Sequence, residues 1–107
     1  MAKRWIACDF DGCIRSWETN QPIDGAKEAL AQLRERGYKV IIHSCNNPSF
    51  IAEWLQKEGI RYDAIWGDSP GDKGHKPFAD AYIDDAAVAF RGDWDAALQD
   101  TLALLER

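Results

Sequence analysis

Only three cysteines, two histidines and one methionine occur in the 107 residues of this chain. Cys8, Cys13 and Cys45 form an odd set without a C-x-x-C pair, so reduced thiols are expected rather than a disulfide framework. A zinc site built from them and His43 would match no standard ligand spacing. No apolar run approaches the roughly 18 residues that cross a bilayer, and no apolar segment of a signal peptide follows Met1-Ala2-Lys3-Arg4. The chain is therefore expected in the cytoplasm, away from membranes. A basic excess is missing too. Thirteen Lys and Arg stand against eighteen Asp and Glu, a net charge of -5, which argues against an extended nucleic-acid surface. A phosphorylated ligand stays compatible with that charge, because one bound divalent cation changes the local sign.

Repeats, low-complexity tracts and linkers are absent as well. With 46% hydrophobic and 29% charged residues, residues 1–107 read as a single globular domain with enough apolar content for one core. Strand and helix signals alternate throughout. Residues 4–9 read as a short buried strand. Pro22 and Asp24 announce a helix with Ala26, Leu30 and Leu33 at helical spacing, closed by Gly37. Residues 38–44 carry the β-branched run Val40-Ile41-Ile42 of a second strand. Asn47-Pro48 opens a second helix with Phe50, Ile51, Trp54 and Leu55 as its stripe and Gly59 as its end. Residues 63–66 form a third strand, 67–76 a loop, 81–84 a fourth strand and 88–90 a short fifth. Asp93 caps a last helix with Trp94, Leu98, Leu102 and Leu105 expected to face inward. This order implies a mainly parallel sheet in a three-layer α/β/α, Rossmann-like fold. Ligands in such folds bind beyond the carboxyl ends of the strands.

Chemistry-bearing residues gather at those ends. In Asp9-Phe10-Asp11-Gly12, two carboxylates on alternate residues of extended chain point toward one spot, and Gly12 lets the backbone turn away. Asp84-Asp85 closes the fourth strand, where a simple turn would be the bland explanation. Two like charges about 4 Å apart cost on the order of 4 kcal/mol at an effective dielectric of 20, so converging carboxylates call for protonation or a cation. Oxygen ligands and few histidines favour magnesium over zinc or copper. Ser44 ends the second strand, where its hydroxyl and the turn amides that follow can donate to phosphate oxygens. Asn46 and Asn47 also suit plain helix capping. Lys73 and Lys76 lie in the loop before the fourth strand, where an ammonium would offset the carboxylates. His43 and His75 suit acid/base work by type alone, and strand alternation turns His43 away from Ser44.

Four pieces in order, Asp9-Phe10-Asp11-Gly12, Ile41-Ile42-His43-Ser44, Lys76-Pro77 and Tyr82-Ile83-Asp84-Asp85, resemble the haloacid dehalogenase-like (HAD) hydrolase superfamily over nearly the whole chain. The resemblance implies a magnesium-dependent phosphatase, a phosphoric monoester hydrolase, in which Asp9 is the nucleophile of an aspartyl-phosphate intermediate and Asp11 the general acid/base. It implies Ser44 as the hydroxyl that holds the phosphoryl oxygens and Lys76, with Lys73 behind it, as the lysine that steadies the transferred group. Gly12, Ser44, Cys45, Asn46 and Lys76 make up the implied substrate-binding set. Mg2+ is implied on Asp9, the Asp11 backbone carbonyl and Asp84, with Asp85 as a water-mediated or orienting partner.

Cys13 stands where family members usually carry threonine. No stretch is long enough for a cap, the inserted module that covers the crevice in most members, so a capless form is expected. A bare crevice suits a large substrate or a covering partner subunit. Arg15, Trp17 and Glu18 in the loop after Gly12 are the nearest candidates for substrate contact, although Trp17 folded onto the core is an equal expectation. The substrate class is a phosphorylated small molecule or a polymer end. Alternatives are a phosphatase of a nucleic-acid end or phosphoprotein, and a weakly active phosphate- or metal-binding regulatory module. Apolar surface near Trp17 or on the final helix would support a homo-oligomer.

Overall fold

Apolar, largely β-branched segments build the sheet, and their register decides which side chains share the core. In the computed structural model, residues 4–67, 72 and 76–107 are described. Strands β1 (Trp5–Asp9), β2 (Lys39–His43), β3 (Ala64–Ile65) and β4 (Ala81–Ile83) pair in the order β3-β2-β1-β4, all parallel. Residues level with one another in neighbouring strands project to the same side. Cys8, Ile42, Ile65 and Ile83 therefore share one face with Ile6 and Val40, and Ala7, Ile41 and Tyr82 share the other.

Helices α1 (Ala26–Glu35) and α2 (Pro48–Glu58) complete the core on the Cys8 side. Leu30 of α1 and Ile51, Trp54 and Leu55 of α2 join Cys8, Val40, Ile42 and Ile65 in one buried cluster. Phe10, fully buried, meets the Trp54 ring edge-on at 5.3 Å and the Phe50 ring at 6.4 Å, the arrangement that aromatic quadrupoles favour. This cluster fixes the end of β1, where the acidic pair begins.

Helix α2 starts and stops where its sequence says it should. The Asn47 side chain accepts from the Ser49 amide at 2.8 Å, Pro48 occupies the first turn, and Gly59 closes the helix at φ 70°. Helix α1 begins differently, because Gly25 precedes it at φ 88° with no side-chain cap and Asp24 leaves that role unfilled. Asp63 stitches α1 to the sheet: it accepts from Arg34 Nε and Nη2 at 3.1 Å each and from the Val40 amide at 2.7 Å.

The fold is thus α/β with a parallel sheet and no cap, since only the short stretch 10–25 separates β1 from α1. Two expectations need correction. The sheet has four strands among the described residues, and 88–90 takes no part in it. Helix α3 (Trp94–Leu105), capped by Asp93 as expected, turns Ala97 inward and leaves Trp94, Leu98, Leu102 and Leu105 exposed. Helical spacing identifies an apolar face but not what covers it. No helix among the described residues is long and apolar enough to cross a membrane.

Candidate active site at the carboxyl ends of the strands

Asp9 ends β1, and its pairing with His43 puts the two residues level at the carboxyl edge of the sheet. The Asp9 Oδ1 accepts from the Phe10 amide at 2.9 Å. Burial pushes the Asp9 carboxyl upward, the Phe10 amide pulls it down, and Asp84 pushes it up again, leaving it above the ordinary carboxylate value. His43 acts on it in the downward direction and Asp85 in the upward one. A carboxyl crowded by other carboxyls in this way is relieved by a cation.

Asp9, Cys13 and Asp85 each place one ligand atom within 4.8 Å of the others. Gly12 makes this approach possible. Its φ of +90° suits glycine, and a Cβ there would lie 2.5 Å from Asp85 Oδ2. The two carboxylates fit a hard cation such as magnesium. The Cys13 thiol fits it poorly, being soft and, through burial first and Asp9 second, pushed up to about 11. Asp85 is the member of the acidic pair drawn into this group, whereas Asp84 Oδ1 accepts from the Ala86 amide at 2.8 Å. Asp84 stays close enough to act on Asp9 electrostatically.

Asp11 is 6% exposed, the one buried charged residue among those described, and both of its oxygens are engaged. Arg15 Nη1 donates to Oδ1 at 2.6 Å, and Asn46 Nδ2 donates to Oδ2 at 3.0 Å. Arg15 is itself held, with Nε on Asn20 Oδ1 at 2.7 Å and its guanidinium 5.1 Å from the Phe50 ring centroid. The loop that carries it is folded rather than loose. Ile14 and Arg15 amides bond to the Phe10 carbonyl, Ser16 to Gln21, and Ile23 to Ile14. Trp54 Nε1 donates to the Asn20 carbonyl at 3.2 Å and ties the loop to α2.

Of the loop residues expected near substrate, Arg15 faces inward to Asp11, while Trp17 (69% exposed) and Glu18 remain in solvent. Ser44 Oγ accepts from the Asn46 amide at 3.0 Å, and Asn46 Oδ1 from the Asn47 amide at 2.8 Å. The turn 44–47 thus links the end of β2 to Asp11 on one side and to the cap of α2 on the other. Cys45 is exposed on it. Lys76 Nζ rests 4.8 Å over the Tyr82 ring, in a cleft lined also by His43, Asp84, Phe90 and Arg91. Lys73 and His75 lie outside the described residues.

Two features escaped the sequence. Arg15 holds Asp11, and the four-residue spacing of acid and base was the one signal for it. His43 stands beside Asp9 with a buried Nε2 that lacks a hydrogen-bond partner, and only strand register could have revealed that.

The profile of the haloacid dehalogenase-like hydrolase family matches residues 2–88, and the chain belongs to that family. A conserved protein from Bacteroides thetaiotaomicron has a similar solved structure: 27% identity, 99% of each chain covered and a TM-score of 0.66. A structural-genomics target from Vibrio cholerae shares the fold at 24% identity, with 96% of this chain and 97% of that one covered and a TM-score of 0.53. No curated protein sequence matches.

Proposed function

We propose that this hydrolase is a magnesium-dependent phosphatase working through an aspartyl-phosphate on Asp9. The observation that carries the reading is the meeting of the Asp9 and Asp85 oxygens at the sheet edge, two residues before a buried, doubly hydrogen-bonded Asp11. In the first half-reaction an Asp9 oxygen forms a bond to phosphorus as the ester P–O bond breaks, and Asp11 passes a proton to the leaving alcohol. In the second, Asp11 takes a proton from water, whose oxygen attacks phosphorus and releases inorganic phosphate and the free Asp9 carboxylate.

Asp9, Asp84 and Asp85 would hold magnesium, which supplies charge neutralisation for the anionic phosphoryl group. Cys13 contributes packing beside that site, because its protonated thiol is a poor ligand. Of the implied substrate-binding set, the Ser44 hydroxyl and the Cys45 amide offer donors to the phosphoryl oxygens, while the Gly12 amide is bonded to the Arg15 carbonyl and the Asn46 amide to Ser44 Oγ. Lys76 supplies cationic charge from its neighbouring cleft. Arg15 and Asn46 keep the Asp11 carboxyl in one direction, which shortens the search for a productive geometry.

No cap separates β1 from α1, and Trp17 on the loop after Gly12 stands in solvent; this favours a phosphorylated polymer end or phosphoprotein as a second reading of the substrate. The test is release of inorganic phosphate from an aryl phosphate and from phosphorylated polymer ends. The expected result is turnover that magnesium restores after chelation and that is abolished in Asp9→Asn and Asp11→Asn. A folded protein that binds magnesium yet hydrolyses no phosphate ester would instead be a binding module.

A further inference from the structure

Helix α3 carries two faces. Ala97 turns toward the rest of the chain, and Trp94, Leu98, Leu102 and Leu105 turn away from it, with exposures from 40% at Leu102 to 76% at Trp94. Phe90, itself 54% exposed, extends the stripe through a ring contact of 4.9 Å with Trp94. Among the described residues α3 makes no close backbone approach to another helix or strand. Nothing among the described residues covers this surface.

Its size and spacing point to what does. Side chains of these types at these exposures leave on the order of 600 Å2 of contiguous apolar surface, beyond what most monomers show, while a standard interface takes about 800 Å2 from each partner. The stripe holds no charged residue. Its members at 94, 98, 102 and 105 lie almost symmetrically about a point midway between Leu98 and Leu102, so an antiparallel copy sets Leu98 on Leu102 and Trp94 on Leu105. Such a helix pair, related by a twofold axis, is self-complementary.

We propose that the outer face of α3 is a self-association surface, on which a second copy of this chain buries Phe90, Trp94, Leu98, Leu102 and Leu105 around a twofold axis. The partner helix supplies the apolar cover that this chain's own sheet does not give α3. The carboxylates of Asp95 and Glu106 flank the stripe and end at the rim, where solvent reaches them.

Sedimentation of the full chain over a concentration series tests this. The expected result is twice the chain mass at about 50 μM, a concentration within reach of a micromolar dissociation constant. Leu98→Glu with Leu102→Glu should sediment at the chain mass with an unchanged far-ultraviolet circular dichroism spectrum. Leu98→Ala, which preserves the helix, should raise the dissociation constant about tenfold or more through lost apolar burial. Trp17→Ser, away from the stripe, should leave the dimer intact. A wild-type chain that stays at its own mass throughout, or a dimer unaffected by Leu98→Ala, would overturn the proposal.

Discussion

Asp11 is held at both oxygens, by Arg15 at 2.6 Å and by Asn46 at 3.0 Å. A buried carboxyl needs such partners, and leaving either oxygen unpaired costs more than the bond itself contributes. On the proposed mechanism Arg15 acts through Asp11, as a positioning residue. Replacing it should misdirect the proton transfer without removing substrate contacts. Arg15→Ala is expected to lower kcat about tenfold or more while KM changes little, and Arg15→Lys to recover part of the loss. A rise in KM at constant kcat would mean that Arg15 binds substrate instead. This role was half legible in the sequence. The i, i+4 spacing of Asp11 and Arg15 was visible, but the tie from Asn20 and the packing on Phe50 depend on a loop fold that no local pattern announces.

The elements followed local rules wherever those rules were strong. The run Val40-Ile41-Ile42 made β2, and Asn47-Pro48 with Gly59 delimited α2 to the residue. Asn47 couples this helix to the site, because the Ser44 to Asn47 turn runs straight into its cap. Asn47→Ala should cost about 1 kcal/mol, as loss of an N-cap usually does, read as a lower urea midpoint at unchanged slope. An unmoved midpoint would show that Pro48 alone sets the helix start. Local rules failed at 88–90, where a strand-forming composition did not pair. Pairing needs a neighbour with a free edge in register, and three residues carry too little register information to secure one. They failed again for α3, whose apolar stripe was legible although its outward direction was not.

Across the whole molecule, stability and site share one frame. Asp63 joins α1 to β2 through Arg34 and the Val40 amide. Its burial favours the protonated acid, but the Arg34 guanidinium and the Val40 amide outweigh this and hold its carboxyl below the ordinary value. A lowered folded value means stability that is fully present above the unfolded pKa of about 3.9 and is lost as pH falls through the folded one. Wild type should therefore exceed Asp63→Asn in unfolding free energy at pH 7, with the gap closing as pH falls below the ordinary carboxylate value and through the lowered folded one. A gap constant across that range would mean that the ion pair contributes nothing.

The sheet order brings Asp9, His43 and Asp85 together from β1, β2 and the turn after β4. Neither the level placement of His43 beside Asp9 nor the choice of Asp85 over Asp84 in the cluster was visible without strand pairing. The acidic pair itself was, and the central claim rests on it: Asp9 takes the phosphoryl group. Acid quenching of the protein during turnover of a phosphate ester with magnesium, followed by peptide mass mapping, tests this most directly. One phosphoryl group on the peptide containing Asp9, absent from Asp9→Asn, is the predicted result. Undiminished turnover in Asp9→Asn, or a phosphoryl group found on a different residue, would contradict it.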